Sequence, residues 1–440
     1  MSRFRNIAIP VVLVAAVLFV TQWRGIHDAA WRPKQIVLIT IDTLRADRLG
    51  AYGYTAQPTS PNIDALAQQS VVFDRAFAAA PWTIPSLGAL HTGRYPVDIG
   101  AYTNSDVLAP DVVTLAQLFQ QRGIATATFN THALLVAERT GFRRGFDTVV
   151  PDHLVPLLAE EHKASFAQSE PALMAWLEAH AQEPFFVWIH DMGPHLPLTA
   201  GNPHLGTPGW SRYDAEVRGS DDLVGRIMQK LAALRLGDKL MVIFTADHGE
   251  AFGDEHGLTG HQDVMYDEVL RVPLMIAAPI FDPKRLDATV ELVDVFSTIA
   301  ALTDLPLPAG VRGESLVPLL RGQATARHKP YAFHMRFFFE PDNHHWLAVR
   351  DSEWTLLAKV EDHGHDGPPA WSLADPKTYF ELYRTRDDPA EQHDLFEQQP
   401  AEVQRLTGIM NEWATALSAK PDRRDVDDAT REHLRALGYQ

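Results

Sequence analysis

Three polar side chains stand at the ends of apolar runs, where neighbouring parallel strands would bring them together. Asp42, His190 and Asp247 each follow a run without polar alternation, which is typical of a strand buried on both faces. Helical patterns separate these runs, so they predict a largely parallel sheet covered by helices on both sides. Ligands of such sheets bind beyond the carboxyl ends of the strands. We therefore expect the three side chains to share one site.

Helix signals lie between and after these runs. A helix is predicted from Ser60-Pro61, and others over residues 112–122, 221–235 and 401–417. Two short strands, over 346–350 and 354–360, flank a turn and predict antiparallel pairing in a separate C-terminal part.

The set Asp42, Asp247 and His248 offers the ligand types of a divalent cation. Taken alone, Asp42 would be a helix cap and the Asp247-His248 pair a polar loop. Taken together, two carboxylates and an imidazole at neighbouring strand ends suit a cation with mixed oxygen and nitrogen ligands. The sequence therefore favours a metal site at this edge of the sheet.

Four fragments carry these residues, and a fifth lies near the C-terminus. In their order they resemble the sulfatase branch of the alkaline phosphatase superfamily, from residue 35 to about residue 330. The resemblance implies an α/β fold, a three-layer sandwich around a mostly parallel sheet, with a small C-terminal α+β subdomain over residues 331–440. The fragments cover residues 41–53, 80–96, 188–197, 245–273 and 381–395.

Thr83 departs from that family at its central position. The family pattern C/S-x-P-x-R supplies a cysteine or serine that becomes formylglycine, whereas this chain reads Thr83-Ile84-Pro85-Ser86-Leu87 and has no cysteine. One interpretation makes Thr83 the cap of a helix that begins near Pro85. The resemblance implies the other, in which Thr83 is a metal-bound nucleophile activated by a helix N-terminus and by the cation.

The identity of the nucleophile bears on the ester. Formylglycine expels sulfate through its second hydroxyl group, which threonine lacks, whereas phosphothreonine intermediates are ordinary in this superfamily. We therefore expect a metal-dependent hydrolase of phosphate or sulfate esters, and in particular a phosphodiesterase-like enzyme with a covalent Thr83 intermediate. Three alternatives stay open: a sulfatase with unmodified threonine, a membrane-anchored phosphoethanolamine or phosphoglycerol-type transferase, and an inactive metal-binding scaffold.

The resemblance also implies which residues bind the metal. They are Asp42, Thr83, Asp247 and His248, with Thr43 in the place of the family's second aspartate. Because His248 stands where the family has asparagine, zinc or manganese is favoured over calcium or magnesium.

His195 and His261 leave the number of ions open. His195 matches a histidine over the leaving group, and His261 replaces a lysine that holds the sulfate. With Asp191 they would form a second metal site, and otherwise they act as hydrogen-bond donors and acid beside a single ion. Asn130 and Arg45 are candidate substrate contacts, for which a turn and an ion pair are the alternatives.

The bulk composition limits the partners and the location. A formal net charge of -17 argues against nucleic acid and leaves a small-molecule, glycan or lipid head-group ester as the expected partner. Arg3 and Arg5 precede an apolar run over residues 7–20 that is typical of a signal peptide or a short membrane anchor. We expect export to the periplasm or another extracytoplasmic compartment, with residues 1–34 as signal or anchor plus linker and residues 35–330 as the catalytic domain.

Overall fold

A computed structural model of the chain describes residues 31–150, 166–196, 201–261, 264–327, 331–337, 344–361 and 378–416. The predicted signal or anchor run lies outside these ranges. Among the helices that the structure describes, none combines the length and apolar character needed to cross a membrane. Trp31, in the predicted linker, is buried, and its Nε1 donates a hydrogen bond to the carbonyl of Asp238. The packed core therefore already includes the chain at residue 31.

The catalytic part is built around one large sheet, and a small hairpin stands beside it. In the described residues this sheet has eight strands in the order β10-β2-β9-β6-β1-β5-β3-β4. Strand β9 runs antiparallel to β2 and β6, and the other neighbours are parallel, so the predicted mostly parallel α/β sheet is confirmed. The strands are β1 (Gln35–Ile41), β2 (Val71–Phe77), β3 (Ala125–Asn130), β4 (Thr148–Val150), β5 (Phe185–Asp191), β6 (Leu240–Ala246), β9 (Arg271–Ala277) and β10 (Lys284–Glu291), with β7 (Ala251–Phe252) and β8 (Thr259–Gly260) in the hairpin.

The register of the three central strands explains why polar residues meet at one edge. Every residue of β1 and β5 is buried, as expected for apolar strands covered on both faces. Ile41 of β1 pairs with Asp191 of β5 and with Ala246 of β6. The three strands therefore end level, and Asp42 and Asp247 emerge side by side.

Helices cover the sheet, and most begin where local signals place them. The longest one begins at Arg212, nine residues before the predicted start, because Ser211 and Asp214 form a capping box there. The helices are α1 (Pro61–Ala67), α2 (Thr83–Thr92), α3 (Pro96–Ile99), α4 (Leu115–Gln120), α5 (Ala133–Val136), α6 (Glu170–Ala179), α7 (Arg212–Ala233), α8 (Asp267–Leu270), α9 (Val293–Thr303), α10 (Val317–Leu320) and α11 (Pro400–Ala416).

A second, antiparallel sheet follows in the C-terminal part. Alternate residues of its second strand face different partners: Trp346 and Ala348 join the main core, whereas Leu347 and Val349 pack with Leu406 and other residues of α11. This period of two is the pleat of a strand buried on both faces. The sheet has the order β11-β12-β13-β14, from β11 (Tyr331–Phe337), β12 (His344–Arg350), β13 (Thr355–Glu361) and β14 (Thr378–Tyr383).

Candidate metal and active site

Asp42, Asp247 and His248 meet at the carboxyl ends of β1 and β6. All three are fully buried, and one ligand atom from each lies within 4.8 Å of the others. Nδ1 of His248 lies 2.9 Å from the carbonyl oxygen of Gly249. A carbonyl only accepts, so Nδ1 carries a proton, which leaves Nε2 as the ring atom that can offer a lone pair to a cation. That Nε2 atom lies 3.5 Å from Oδ2 of Asp247 and 3.9 Å from Oδ1 of Asp42.

The convergence of these acceptors fits a cation. Oδ2 of Asp247 and Nε2 of His248 are buried, and neither has a hydrogen-bond partner among the described residues. Burial, and then the charge of Asp42, raise the pKa of Asp247. Buried polar atoms normally have partners, and buried like charges repel each other. A divalent ion among these three side chains would satisfy both conditions, so the residues present fit the metal that the sequence predicts.

Thr83 is the first residue of α2, two residues earlier than the predicted helix start. Trp82 occupies the N-cap position, and its side chain makes no capping hydrogen bond among the described residues. Asn104 provides a hydrogen-bond acceptor for the helix N-terminus instead, because its Oδ1 accepts a hydrogen bond from the backbone N–H of Ile84 at 2.8 Å. Oγ1 of Thr83 is buried without a hydrogen-bond partner in the described structure. The capping interpretation of Thr83 therefore does not describe this helix end.

The first turn of α2 is attached directly to the segment that carries the metal ligands. Oγ of Ser86 donates a 2.6 Å hydrogen bond to the carbonyl of Asp247, and both groups are buried. Thr83 lies one helical turn before Ser86. The helix N-terminus, where positive partial charge favours an anion, is thus held at the edge of the sheet that bears Asp42 and Asp247.

Thr43 adopts a conformation that its sequence position does not reveal. Its φ is 54°, in the left-handed region, which is unfavourable for a β-branched residue. Its N–H donates to Oδ1 of Asp247 at 3.2 Å, and its carbonyl accepts the hydroxyl of Tyr213 at 2.6 Å. Its buried Oγ1 has no hydrogen-bond partner among the described residues. These two bonds hold the strained residue against the ligand Asp247.

His195 and His261 lie close to the candidate metal ligands, as the sequence suggests. The ring centroids of His261 and His248 are 4.5 Å apart, and those of His195 and His261 are 5.4 Å apart. Nδ1 of His261 lies 3.2 Å from a carboxylate oxygen of Glu250, so a proton on that nitrogen bridges the two. Nδ1 of His195 donates to the carbonyl of Leu196. Both imidazoles are therefore oriented through Nδ1.

Asp191 does not complete a second metal site with these histidines. Its Oδ2 accepts a 2.6 Å hydrogen bond from Ser220 of α7, and the described residues contain a single cluster of three metal-ligand side chains, the one at Asp42. Asp191 directly follows His190 on β5, and successive side chains of a strand point to opposite faces. The described geometry therefore directs Asp191 toward α7 and away from the two histidines, and the number of ions stays a prediction.

Asn130 and Arg45 differ in their surroundings. Asn130 ends β3 beside His190, and its buried Oδ1 has no hydrogen-bond partner within the described ranges, so it keeps the capacity to contact a substrate. The ion-pair partners that the described structure gives Arg45 do not include Asp42, and the Arg45 side chain is buried. Its guanidinium binds Asp47 at 2.8 and 2.9 Å and Glu255 at 3.0 Å, which directs it away from a substrate-binding role.

His190 is a site residue that the sequence indicated by position only. Nε2 of His190 lies 3.4 Å from Oδ2 of Asp42, and its ring is fully buried. Burial lowers the pKa of His190 to about 4. The signal that indicated it was its place near the end of β5, opposite Thr40 and two residues before the level of Asp42 on the adjacent strand.

Two family profiles and several known proteins are similar to this chain. A sulfatase family profile matches residues 34–305, and the profile of the N-sulphoglucosamine sulphohydrolase C-terminal region matches residues 254–416. An ulvan-active sulfatase of Formosa agariphila is 27% identical over 343 residues, which cover 67% of this chain and 66% of that protein. Arylsulfatase A of Homo sapiens is 27% identical over 432 residues, 83% of this chain and 84% of that protein.

Solved structures extend the comparison to the fold. The crystal structure of the phosphonate monoester hydrolase of Agrobacterium radiobacter is similar with a TM-score of 0.70 at 19% identity, and the match covers 88% of this chain and 95% of that one. The family profile spans well over half of the chain. This chain therefore belongs to the sulfatase family of ester hydrolases.

Proposed function

We propose that this protein is a metal-dependent phosphoester hydrolase that acts on phosphodiesters through a covalent intermediate on Thr83. The observation that carries the proposal is the position of Thr83. Its buried Oγ1 lies at the N-terminus of α2 without a hydrogen-bond partner in the described chain, on a turn fixed to the ligand segment by Ser86. A hydroxyl kept unpaired in that place suits a nucleophile better than a structural residue.

We propose zinc or manganese as the ion. The set of Asp42, Asp247 and His248 mixes oxygen and nitrogen ligands, and Thr83 completes it in the proposed enzyme. When bound, the ion lowers the pKa of the nucleophilic hydroxyl and neutralises charge on the phosphoryl oxygens.

The chain's own residues then divide the chemistry into two displacements. Oγ1 of Thr83 releases its proton to solvent and attacks phosphorus, and the bond from phosphorus to the leaving oxygen breaks. His195 protonates that oxygen through Nε2, because its Nδ1 is already committed to the carbonyl of Leu196. Water then attacks the phosphothreonine ester and His195 accepts its proton, while the bond from phosphorus to Oγ1 breaks and Oγ1 of Thr83 takes a proton back from solvent. His261, held by Glu250, donates hydrogen bonds to the anion.

The charge of the site favours an ester with one negative charge. The family pattern has an arginine and a lysine where this chain has Leu87 and His261, so two fixed positive charges are replaced. A divalent ion balances only the two carboxylates of Asp42 and Asp247. A phosphodiester or a sulfate ester carries one charge and a phosphate monoester carries two, so we expect the monoester to bind worse.

A sulfate ester is the second candidate, and the family membership supports it. The chain matches the sulfatase profile, and both relatives named above are sulfatases. Against it stands the threonine, because it lacks the second hydroxyl by which formylglycine expels sulfate. We propose a small-molecule or glycan ester as the substrate. We also propose that the protein is exported, which cell fractionation would test.

Parallel assays on the purified, metal-loaded protein distinguish the candidates. The substrates are bis(4-nitrophenyl) phosphate, 4-nitrophenyl phosphate and 4-nitrophenyl sulfate, assayed with the unaltered protein, Thr83→Ser and Thr83→Ala. We expect the diester to give the highest kcat/KM, Thr83→Ser to keep turnover and Thr83→Ala to lose it. Highest kcat/KM with the sulfate ester would select the second candidate. Unchanged turnover in Thr83→Ala would refute the nucleophile.

A further inference from the structure

A buried chain of hydrogen bonds leads from the core of the sheet to the ligand Asp42. Nε1 of Trp188 donates to Oγ1 of Thr40 at 2.9 Å, and Oγ1 of Thr40 lies 2.8 Å from Nδ1 of His190. Nε2 of His190 in turn lies 3.4 Å from Oδ2 of Asp42. All four side chains are fully buried.

The strand register produces this chain. Thr40 and His190 are directly opposite each other on β1 and β5, and Trp188 pairs with Leu38 one pleat earlier. Asp42 directly follows β1 and is two residues from Thr40, as His190 is from Trp188 on β5, so each pair shares one face of the sheet. The four groups therefore form a row on that face which ends at the metal ligand.

The row selects one tautomer of His190. The indole N–H of Trp188 can only donate, so it occupies a lone pair of Thr40 Oγ1. The single hydroxyl proton of Thr40 then points to Nδ1 at 2.8 Å or to the carbonyl of Ile189 at 3.3 Å. If Nδ1 carried the ring proton, Nε2 would aim a lone pair at the carboxylate of Asp42. The proton is therefore on Nε2, which donates to Oδ2 of Asp42.

We propose that His190 is a positioning residue for the metal and that Trp188 and Thr40 set its tautomer. The Nε2–H bond holds Oδ2 of Asp42, which leaves Oδ1, 3.9 Å from Nε2 of His248, directed toward the cation. An outer hydrogen bond of this kind orients a ligand and keeps its geometry when the ion leaves. The proposal rests on the metal site and is independent of which ester is hydrolysed.

Metal affinity measured without substrate tests the relay. Mn²⁺ is titrated calorimetrically into the chelator-treated, full-length protein, and Co²⁺ absorption spectra report the ligand geometry. The variants are His190→Phe, which removes the donor; Thr40→Val, which keeps the shape but removes the hydroxyl; and Thr40→Ser, which keeps the hydroxyl. We expect His190→Phe and Thr40→Val to weaken Mn²⁺ binding by about 10- to 100-fold, and Thr40→Ser to bind like the unaltered protein.

The outcomes separate the relay from the site that it serves. Equal affinity and equal Co²⁺ spectra in Thr40→Val and Thr40→Ser would overturn the relay while leaving the metal site intact. Failure of the unaltered protein to bind Mn²⁺ or Zn²⁺ would overturn the metal site and the relay together. If His190→Phe does not fold by circular dichroism, the comparison of the two Thr40 variants still decides, because a purely structural role of Thr40 would not shift the Co²⁺ spectrum.

Discussion

Asp247→Asn should change the stability of the protein in opposite directions with and without metal. The side chains of Asp42 and Asp247 are fully buried, and their ligand atoms lie within 4.8 Å of each other. At an effective dielectric constant of about 20, two like charges at that distance repel by about 3 kcal/mol. Asparagine keeps the Oδ1 acceptor for the backbone N–H groups of Thr43 and His248 and removes the charge.

This repulsion predicts a measurable inversion of melting temperatures. In chelator, Asp247→Asn should be more stable than the unaltered protein by up to about 3 kcal/mol, or about 3 °C for a chain of this length. With Mn²⁺ at a hundredfold excess over its dissociation constant, the unaltered protein should gain about 2.7 kcal/mol and the variant should gain little. Differential scanning calorimetry with chelator and with Mn²⁺ measures whether the order of the two melting temperatures reverses. Asp42→Asn is the matched variant because it removes the other charge of the pair.

The pH dependence gives a second reading of the same effect. Burial and Asp42 raise the pKa of Asp247 in the folded state, so its protonated form is favoured by folding. The chelated protein should therefore become more stable as pH falls through that raised pKa, and lose this contribution as pH rises again. Asp247→Asn should lack this part of the profile. A variant less stable than the unaltered protein in chelator, with an equal response to Mn²⁺, would refute the reasoning.

Three further predictions concern other parts of the chain. Thr43→Asp should shift metal preference toward Ca²⁺ in competition titrations, because it adds an oxygen ligand type at a position with φ of 54° that aspartate tolerates better. Burial lowers the pKa of His91 to about 3, so its neutral ring supports stability fully above pH about 6.5 and loses this support as pH falls toward 3; His91→Leu should flatten that acid limb in urea unfolding. Arg327→Met should cost about 3 to 5 kcal/mol at pH 8, since it leaves Glu291 and Asp294 buried without their cation. Burial raises their pKa values to about 7 and about 6, so the loss should shrink at pH 5, where both become neutral.

The central sheet, and the meeting of the candidate metal ligands at its edge, could be predicted from sequence because both follow from strand ends. Apolar runs marked β1, β5 and β6, and their level register placed Asp42 beside Asp247. The pattern of apolar runs did not show toward which face of the sheet the side chain at each strand end points. Asp191 points to Ser220 while its neighbour His190 points to Asp42, and the alternation of a pleated strand would have separated them.

Other site features depended on contacts between distant segments. The carboxylates that hold Arg45 come from residues 47 and 254–255, whereas the sequence spacing suggested Asp42 as its ion-pair partner. The left-handed backbone of Thr43 is set by Tyr213 of α7 and by Asp247, which lie about 170 and 200 residues away in the chain. The start of α2 at Thr83 depends on Asn104, which no capping pattern before the helix could indicate.

Trapping of the covalent intermediate tests the central claim most directly. The metal-loaded protein is mixed with bis(4-nitrophenyl) phosphate, quenched in acid within the first turnover, and examined by intact-protein and peptide mass spectrometry. We predict an aryl phosphoryl adduct on Thr83, on the peptide that contains the N-terminus of α2, and its absence from Thr83→Ala. Turnover of the diester with no adduct, or with an adduct on another residue, would contradict the assignment of Thr83 as the nucleophile.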